Sequence, residues 1–188
     1  MRLFVAVNLP AAERKAAHAA AAPLREAHLP VKWVAEEALH MTLKFLGEDE
    51  ATRAGANGAA LGAAVREVRP FDLAVGGLGA FPDLERPRTF WFGVERHPAL
   101  ELLANDVERA LAPFGFQAEL KPFQPHLTLG RARKDARPAD LSGADAAAAR
   151  VMYESVIAVG SVDLMESTLA KGGPSYRLVH RAVLGAGR

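Results

Sequence analysis

Short strand-like stretches and longer stretches of helical spacing follow one another along this chain. Residues 2–9 place Leu3, Val5 and Val7 on one face of a strand, and Pro10 ends the stretch. The clearest helix is predicted over residues 97–114, where apolar side chains recur every three or four positions. Further strands are predicted at 31–34, 39–46, 71–78, 89–94, within 151–168, and at 176–184. Further helices are predicted at 11–28 with a break at Pro23, at 50–68, and in the second half of 134–149.

Several of these strands follow one another without a helix between them. Such neighbours pair antiparallel, so the order of elements predicts an α+β fold dominated by antiparallel sheet. A strand, a helix and a second, histidine-bearing strand occur once in each half of the chain, which indicates two lobes. Because no Gly/Ser-rich linker divides the halves, residues 1–188 are expected to form a single two-lobed domain.

The same four-residue pattern, His-apolar-Thr-Leu, occurs at residues 40–43 and again at residues 126–129. Each unit enters a predicted strand, where successive side chains point to opposite faces. The histidine and the threonine of a unit therefore share one face, while its apolar side chains anchor the other face in a core. Each unit thus provides a polar, reactive face on a rigid mount.

His40, Thr42, His126 and Thr128 together can supply acid–base chemistry at a phosphorus centre. Histidine is the side chain whose ordinary pKa lies nearest neutrality, so one imidazole of a pair can be neutral while the other is protonated. A threonine hydroxyl beside each imidazole can donate a hydrogen bond to a phosphate oxygen. One such unit in a strand is usually structural, but two units in the same context favour a catalytic pair.

Three residues next to the motifs are candidates for binding the substrate: Lys44, Phe45 and Arg131. Strict alternation gives Lys44 the same face as His40, from which it can reach an anion. Alternation turns Arg131 away from His126, unless a bulge at Gly130 turns it back. For both charged residues a solvated surface position is the alternative.

Phe45 is a candidate for stacking on a nucleobase, as are Trp33 and Phe123. Aromatic side chains of this kind are more often part of a hydrophobic core, so the core position is the alternative for all three.

The composition limits the kinds of function. The chain has no cysteine, which excludes disulfides, thiol nucleophiles and thiolate metal sites. The formal net charge of +1 gives no basic field for long duplex nucleic acid, whereas a small anionic ligand stays compatible. No apolar run is long enough to cross a bilayer and no signal peptide is recognised, so no membrane association and a cytoplasmic location are expected.

A zinc site is the competing interpretation of the two motif histidines. A catalytic zinc usually takes three protein ligands, and the chain contains no His-Glu-x-x-His or His-x-x-x-His spacing. The other histidines have no context that matches the motifs; they are at positions 18, 28, 97 and 180. The sequence therefore predicts a site without a metal or another cofactor.

The double motif and its flanks resemble the two-histidine phosphoesterase superfamily, and within it the LigT-like RNA 2′,3′-cyclic phosphodiesterases, once described as 2′-5′ RNA ligases. The residues that carry the resemblance lie at 1–10, 39–48, 90–94, 125–131, 164–167 and 176–178. The resemblance implies a bilobal α+β fold, with two pseudo-symmetric lobes of antiparallel sheet and flanking helices around a central cleft. The two motifs are expected to face each other across that cleft.

The resemblance also implies metal-independent hydrolysis of RNA 2′,3′-cyclic phosphate ends, or of cyclic nucleotides, to 2′-phosphomonoesters. His126 is then the proton acceptor that activates water, and His40 is the proton donor to the leaving 3′-oxygen. Thr42 and Thr128 hold non-bridging oxygens, and Arg131 offsets negative charge. Two alternatives stay open: 2′-5′ RNA ligation through the same residues, and a nucleotide- or RNA-end-binding module without turnover. A monomer is the expected oligomeric state.

Overall fold

The computed structural model describes residues 1–118, 120, 122–170 and 173–186. The strands in these ranges are β1 (Arg2–Asn8), β2 (Val31–Trp33), β3 (His40–Glu48), β4 (Phe71–Phe81), β5 (Thr89–Val94), β6 (His126–Ala132), β7 (Glu154–Val159), β8 (Ser161–Ala170) and β9 (Gly173–Val183). The α-helices are α1 (Ala11–Ala20), α2 (Ala22–Glu26), α3 (Ala54–Val65), α4 (Pro98–Leu111) and α5 (Ala144–Ala148). None of these helices has the length and apolar character needed to cross a membrane.

The strands form one sheet, and every described pairing in it is antiparallel. The order is β7-β4-β5-β6-β3-β1-β8-β9, and β2 pairs with β6 beside this path. The two strands that begin with the motif histidines, β6 and β3, are therefore neighbours at the centre. Each has three further strands on its outer side, so the predicted α+β class with two similar halves of antiparallel sheet is confirmed.

The two motif strands repeat one burial pattern. In β3 and in β6, the first and third residues are half-buried, the second, fourth and fifth are buried, and the sixth is exposed. Met41 and Leu127 lie opposite each other across the junction of the halves, and both side chains are fully buried. The prediction that the apolar face of each motif is anchored in a core is confirmed.

Helices cover the apolar face of the sheet on both halves. α3 and α4 pack against the half that contains β3 and β9. α4 buries Leu100, Leu103 and Val107 at helical spacing, as the sequence predicts. On the other half α2 contacts α5, and Glu13 of α1 accepts a hydrogen bond from Ser155 of β7 at 2.6 Å. The histidine-bearing face of the sheet is left to the cleft.

Most predicted elements are confirmed, with boundaries shifted by a few residues. Pro23 breaks the first helical stretch as expected, because α1 ends at Ala20 and α2 begins at Ala22 with the proline in its first turn. The helix predicted from residue 50 begins only at Ala54, since residues 51–53 form a separate 3₁₀ turn. β3 continues one residue past Gly47, the residue expected to close it.

Candidate active site

The four motif side chains lie on one face of the sheet, at the junction of its two halves. The second residues of the motifs are opposite each other in the β3–β6 pair. Extending this register by one residue brings His40 opposite Thr128, and Thr42 opposite His126, with each opposed pair on the same face. All four residues are half-buried. The structure therefore brings the two imidazoles and two hydroxyls together, with the imidazoles as diagonal neighbours.

Both motif histidines are held by the same kind of hydrogen bond. Nδ1 of His40 lies 2.7 Å from the carbonyl oxygen of Ala38, and Nδ1 of His126 lies 2.7 Å from that of Gln124. A carbonyl oxygen only accepts, so Nδ1 carries the proton and donates it in each ring. Nε2 is then the atom that gains and loses a proton in both imidazoles.

Burial lowers the pKa of both imidazoles below the ordinary value of 6.5. The hydrogen bonds to the carbonyls of Ala38 and Gln124 oppose this effect. The positive charge of Arg131 lowers the pKa of both rings further, and His126 also lowers the pKa of His40. The ligand-free site therefore favours two neutral imidazoles at neutral pH.

A bulge in β6 turns Arg131 toward the histidines. Thr128 pairs with Trp91 of β5, but Gly130 pairs with the preceding residue of that strand, so Leu129 is an extra residue. The extra residue inverts the alternation beyond it and gives Arg131 the face of the motif histidine. Its Nη1 donates to the hydroxyl of Thr89 at 3.3 Å. A bulge next to Gly130, the condition under which Arg131 faces the motif histidines, is thus present.

The same irregularity in β3 overturns the prediction for Lys44. Thr42 and Lys44 pair with consecutive residues of β1, so Leu43 is the extra residue there. Lys44 is consequently turned away from the cleft and is 2% exposed. Its ammonium donates to Glu108 Oε2 and to the backbone oxygen of Gln117, both at 2.7 Å. The expected position on the face of the motif histidine is wrong, and so is the alternative of a solvated surface charge.

Phe45 returns to the cleft face because of the bulge before it. It is the β3 residue at the position that Arg131 occupies in β6, and its side chain is 62% exposed. Its ring centroid lies 6.4 Å from that of Phe4. The two other aromatic candidates, Trp33 and Phe123, are partly buried and pack against the main core, which confirms the core alternative for them.

The family model of the 2′-5′ RNA ligase superfamily matches residues 11–167, which include both motifs. The chain belongs to this superfamily. An Aeropyrum pernix protein named RNA 2′,3′-cyclic phosphodiesterase is 36% identical over 159 residues, which are 81% of this chain and 85% of that protein. A Geobacillus stearothermophilus protein of the same name is 38% identical over 129 residues, which are 68% of this chain and 41% of that longer protein. The resemblance noted in the sequence is confirmed.

Solved structures share the fold of this superfamily member along nearly the whole chain. A Thermus thermophilus protein has a TM-score of 0.82 at 28% identity, and the match covers 100% of both chains. E. coli LigT complexed with 3′-AMP has a TM-score of 0.73 at 29% identity, and the match covers 97% of each chain. The LigT-like bilobal architecture expected from the sequence is therefore confirmed.

Aromatic side chains from distant strands surround each motif histidine in this member of the superfamily. The ring of Tyr176 of β9 is nearly perpendicular to that of His40, with the centroids 5.1 Å apart. Phe81 of β4 has the same relation to His126, also at 5.1 Å, and Trp91 lies 6.3 Å away. Sequence reasoning gives Tyr176 only as part of the family resemblance and does not single out Phe81, because only strand pairing brings them here.

Within the described residues, no group of three or more His, Asp or Glu side chains lies close enough together to hold a metal ion. The two motifs provide two imidazoles and two hydroxyls on the cleft face, and Arg131 adds a guanidinium, for chemistry on a phosphate.

Proposed function

We propose that this protein hydrolyses RNA 2′,3′-cyclic phosphate ends to 2′-phosphomonoesters by acid–base catalysis without a metal ion. The observation that carries the proposal is the matched pair of histidines. Each holds Nδ1 at 2.7 Å from a backbone carbonyl oxygen, so that Nε2 serves proton transfer on the shared face. The name RNA 2′,3′-cyclic phosphodiesterase, carried by relatives 36% and 38% identical, supports the choice of substrate.

In the proposed reaction His126 is the base and His40 is the acid. The neutral Nε2 of His126 takes a proton from water while the water oxygen bonds to phosphorus. The bond from phosphorus to O3′ breaks, and protonated His40 gives its Nε2 proton to O3′, so that the phosphate stays on O2′. Each proton transfer of this kind contributes about 10²–10⁴-fold to the rate.

The pKa of His40 is lowered in the ligand-free site. Binding of the substrate opposes this effect, so that His40 can act as the acid. The positive charges of Arg131 and His126 contribute to lowering that pKa. A cyclic phosphate diester brings one negative charge, which opposes them and favours the protonated form of His40. Repulsion from protonated His40 then keeps the second imidazole neutral, since the pair titrates as one coupled system.

The remaining cleft residues take supporting roles in the proposal. Thr42 and Thr128 donate hydrogen bonds to the non-bridging oxygens, and Arg131 offsets their negative charge. Phe45, 62% exposed on the cleft face, stacks on the base. Because both histidines come from one chain, a single two-lobed domain over residues 1–188 is sufficient for the reaction as a monomer. The proposed location is the cytoplasm.

Joining of RNA ends by a 2′-5′ bond is the second candidate, because the superfamily description names this activity. A 5′-hydroxyl would replace water as the nucleophile, while O3′ would leave as before and both histidines would keep their roles. Hydrolysis ranks first because water outcompetes a 5′-hydroxyl unless a second RNA end is held in the cleft.

Adenosine 2′,3′-cyclic phosphate tests the proposal directly. The expected product in the presence of EDTA is adenosine 2′-phosphate, distinguished from the 3′-isomer by chromatography and ³¹P NMR. Formation of the 3′-isomer would contradict the assignment of O3′ as leaving group. Binding without product would favour the nucleotide-binding module, and loss of activity with EDTA that zinc restores would refute metal independence.

A further inference from the structure

A polar cavity of about 360 Å³ opens at the end of β1. It lies where β1 ends, α1 begins and β7 turns into β8, and its lining includes Asn8, Arg14 and Arg181. Asn8 is the register partner of His40 in the β1–β3 pair. Neighbouring strands lie about 4.8 Å apart, so the cavity begins one strand spacing from the proposed acid.

Three polar side chains of this cavity are held by hydrogen bonds. Arg181 donates from Nε and Nη2 to the two carboxylate oxygens of Asp163, each at 2.8 Å, and Asp163 is fully buried. Asn8 donates to the same carboxylate at 2.7 Å. Arg14 donates from Nη1 to the backbone oxygen of Leu9 at 3.0 Å. Each guanidinium group has further N–H groups that these bonds do not use.

The charge at the cavity suits one phosphate group. Asp163 balances Arg181, so Arg14 supplies the net positive charge. The carboxylate next to it in sequence, Glu13, accepts a hydrogen bond from Ser155 and is not among the residues that line the cavity. Guanidinium groups bind phosphate oxygens with strong, charge-assisted hydrogen bonds.

We infer that this cavity binds a phosphate on the 5′-oxygen of the nucleoside that carries the cyclic phosphate. The inference rests on the proposed function, in which His40 protonates O3′. The ribose continues from O3′ through C3′ and C4′ to C5′, so the 5′-oxygen lies on the His40 side of the reacting phosphorus. The cavity beside His40 is on that side. The favoured substrate is then an RNA end of two or more nucleotides, not a nucleoside with a cyclic phosphate alone.

Three substrates with the same reacting group test this inference. They are adenosine 2′,3′-cyclic phosphate, its 5′-phosphorylated form, and the dinucleotide ApA with a terminal 2′,3′-cyclic phosphate. The ratio of kcat/KM for the dinucleotide to that for the unphosphorylated nucleoside is expected to fall about 10- to 100-fold in Arg14→Gln. Arg14→Lys keeps the charge and should retain most of the ratio. Lys15→Gln removes an exposed charge from the same helix and should leave the ratio unchanged.

The outcomes separate this inference from the function on which it rests. An Arg14→Gln enzyme with the wild-type ratio, or a Lys15→Gln enzyme with an equal fall, would overturn the inference while hydrolysis stands. Hydrolysis of none of the substrates by the wild-type enzyme would overturn the proposed function and the inference with it. If Arg14→Gln lowers kcat/KM for the dinucleotide alone, the cavity binds the internucleotide phosphodiester. If it lowers kcat/KM equally for the 5′-phosphorylated nucleoside, the cavity binds any 5′-phosphate. The activity on the unphosphorylated nucleoside reports on folding in every variant.

Discussion

Lys44 of β3 and Glu108 of α4 form an ion pair of 2.7 Å on the side of the motif strand that faces away from His40. The lysine side chain is 1% exposed and the glutamate side chain 24%. The pair therefore ties the strand that carries His40 to the helix beneath it, and the cleft has no access to the ammonium.

Removing the glutamate is expected to destabilise the fold. Glu108→Ala leaves the buried ammonium of Lys44 with the backbone oxygen of Gln117 as its remaining described acceptor. Breaking such a pair from one side costs about 3 kcal/mol, which for a chain of this length lowers Tm by roughly 6–12 °C. Lys44→Met places an apolar side chain in the same space and should cost less. Thermal unfolding of both variants checks the order; an equal Tm for Glu108→Ala and wild type would contradict it.

Loss of either motif histidine is expected to remove turnover and spare the fold. His40→Ala and His126→Ala each delete one proton-transfer group and should lower kcat about 10²–10⁴-fold. Because the two rings act as a unit, the double variant should be little worse than either single one. Retention of most activity in either single variant, with an unchanged Tm, would exclude that histidine from the chemistry.

The motifs could be predicted from the sequence because each is local: four consecutive residues in a strand decide which side chains share a face. The direction of the residues just beyond them could not be predicted in the same way. Leu43 and Leu129 are extra residues only in their pairing with the partner strands, β1 and β5, which four consecutive residues do not reveal. Gly130 signals the second bulge, whereas the residue at the matching position of β3 is Lys44, which gives no such signal.

Side chains that reach the site from distant strands could not be predicted from the sequence for a related reason. Tyr176 and Phe81 approach the histidines because β9 and β4 lie where the sheet order puts them. That order is set by packing over the whole chain. A one-residue slip of either strand would point its aromatic ring to the opposite face.

Arg131 is expected to shift the pH–rate profile, in addition to the larger effect of burial on both histidines. Its charge lowers the pKa of both histidines, so Arg131→Gln raises both pKa values toward 6.5. The base must be neutral, so the acidic limb of the kcat/KM profile moves to higher pH in this variant. Loss of the charge at the phosphate also lowers the rate, by about 10²–10³-fold.

Arg131→Lys keeps the charge and should keep the acidic limb of the kcat/KM profile near its wild-type position. A limb that does not move in Arg131→Gln would show that the guanidinium does not act on the imidazoles.

Tyr176 is expected to control the pKa of His40 through burial. Burial is the largest cause of the lowered pKa of this imidazole, and the ring of Tyr176 lies against it at 5.1 Å between centroids, beside Phe4 at 4.9 Å. Tyr176→Ala admits water to the ring, which favours the charged form and raises the pKa of His40 toward 6.5. Tyr176→Phe keeps the ring in place and should leave the pKa of His40 near the wild-type value.

An NMR titration of the His40 Cε1–H resonance measures this pKa in both variants. His126 is an internal reference, because the aromatic ring that lies against His126 belongs to Phe81. A rise in the pKa of His126 equal to that of His40 would point to a general opening of the cleft and would contradict this role.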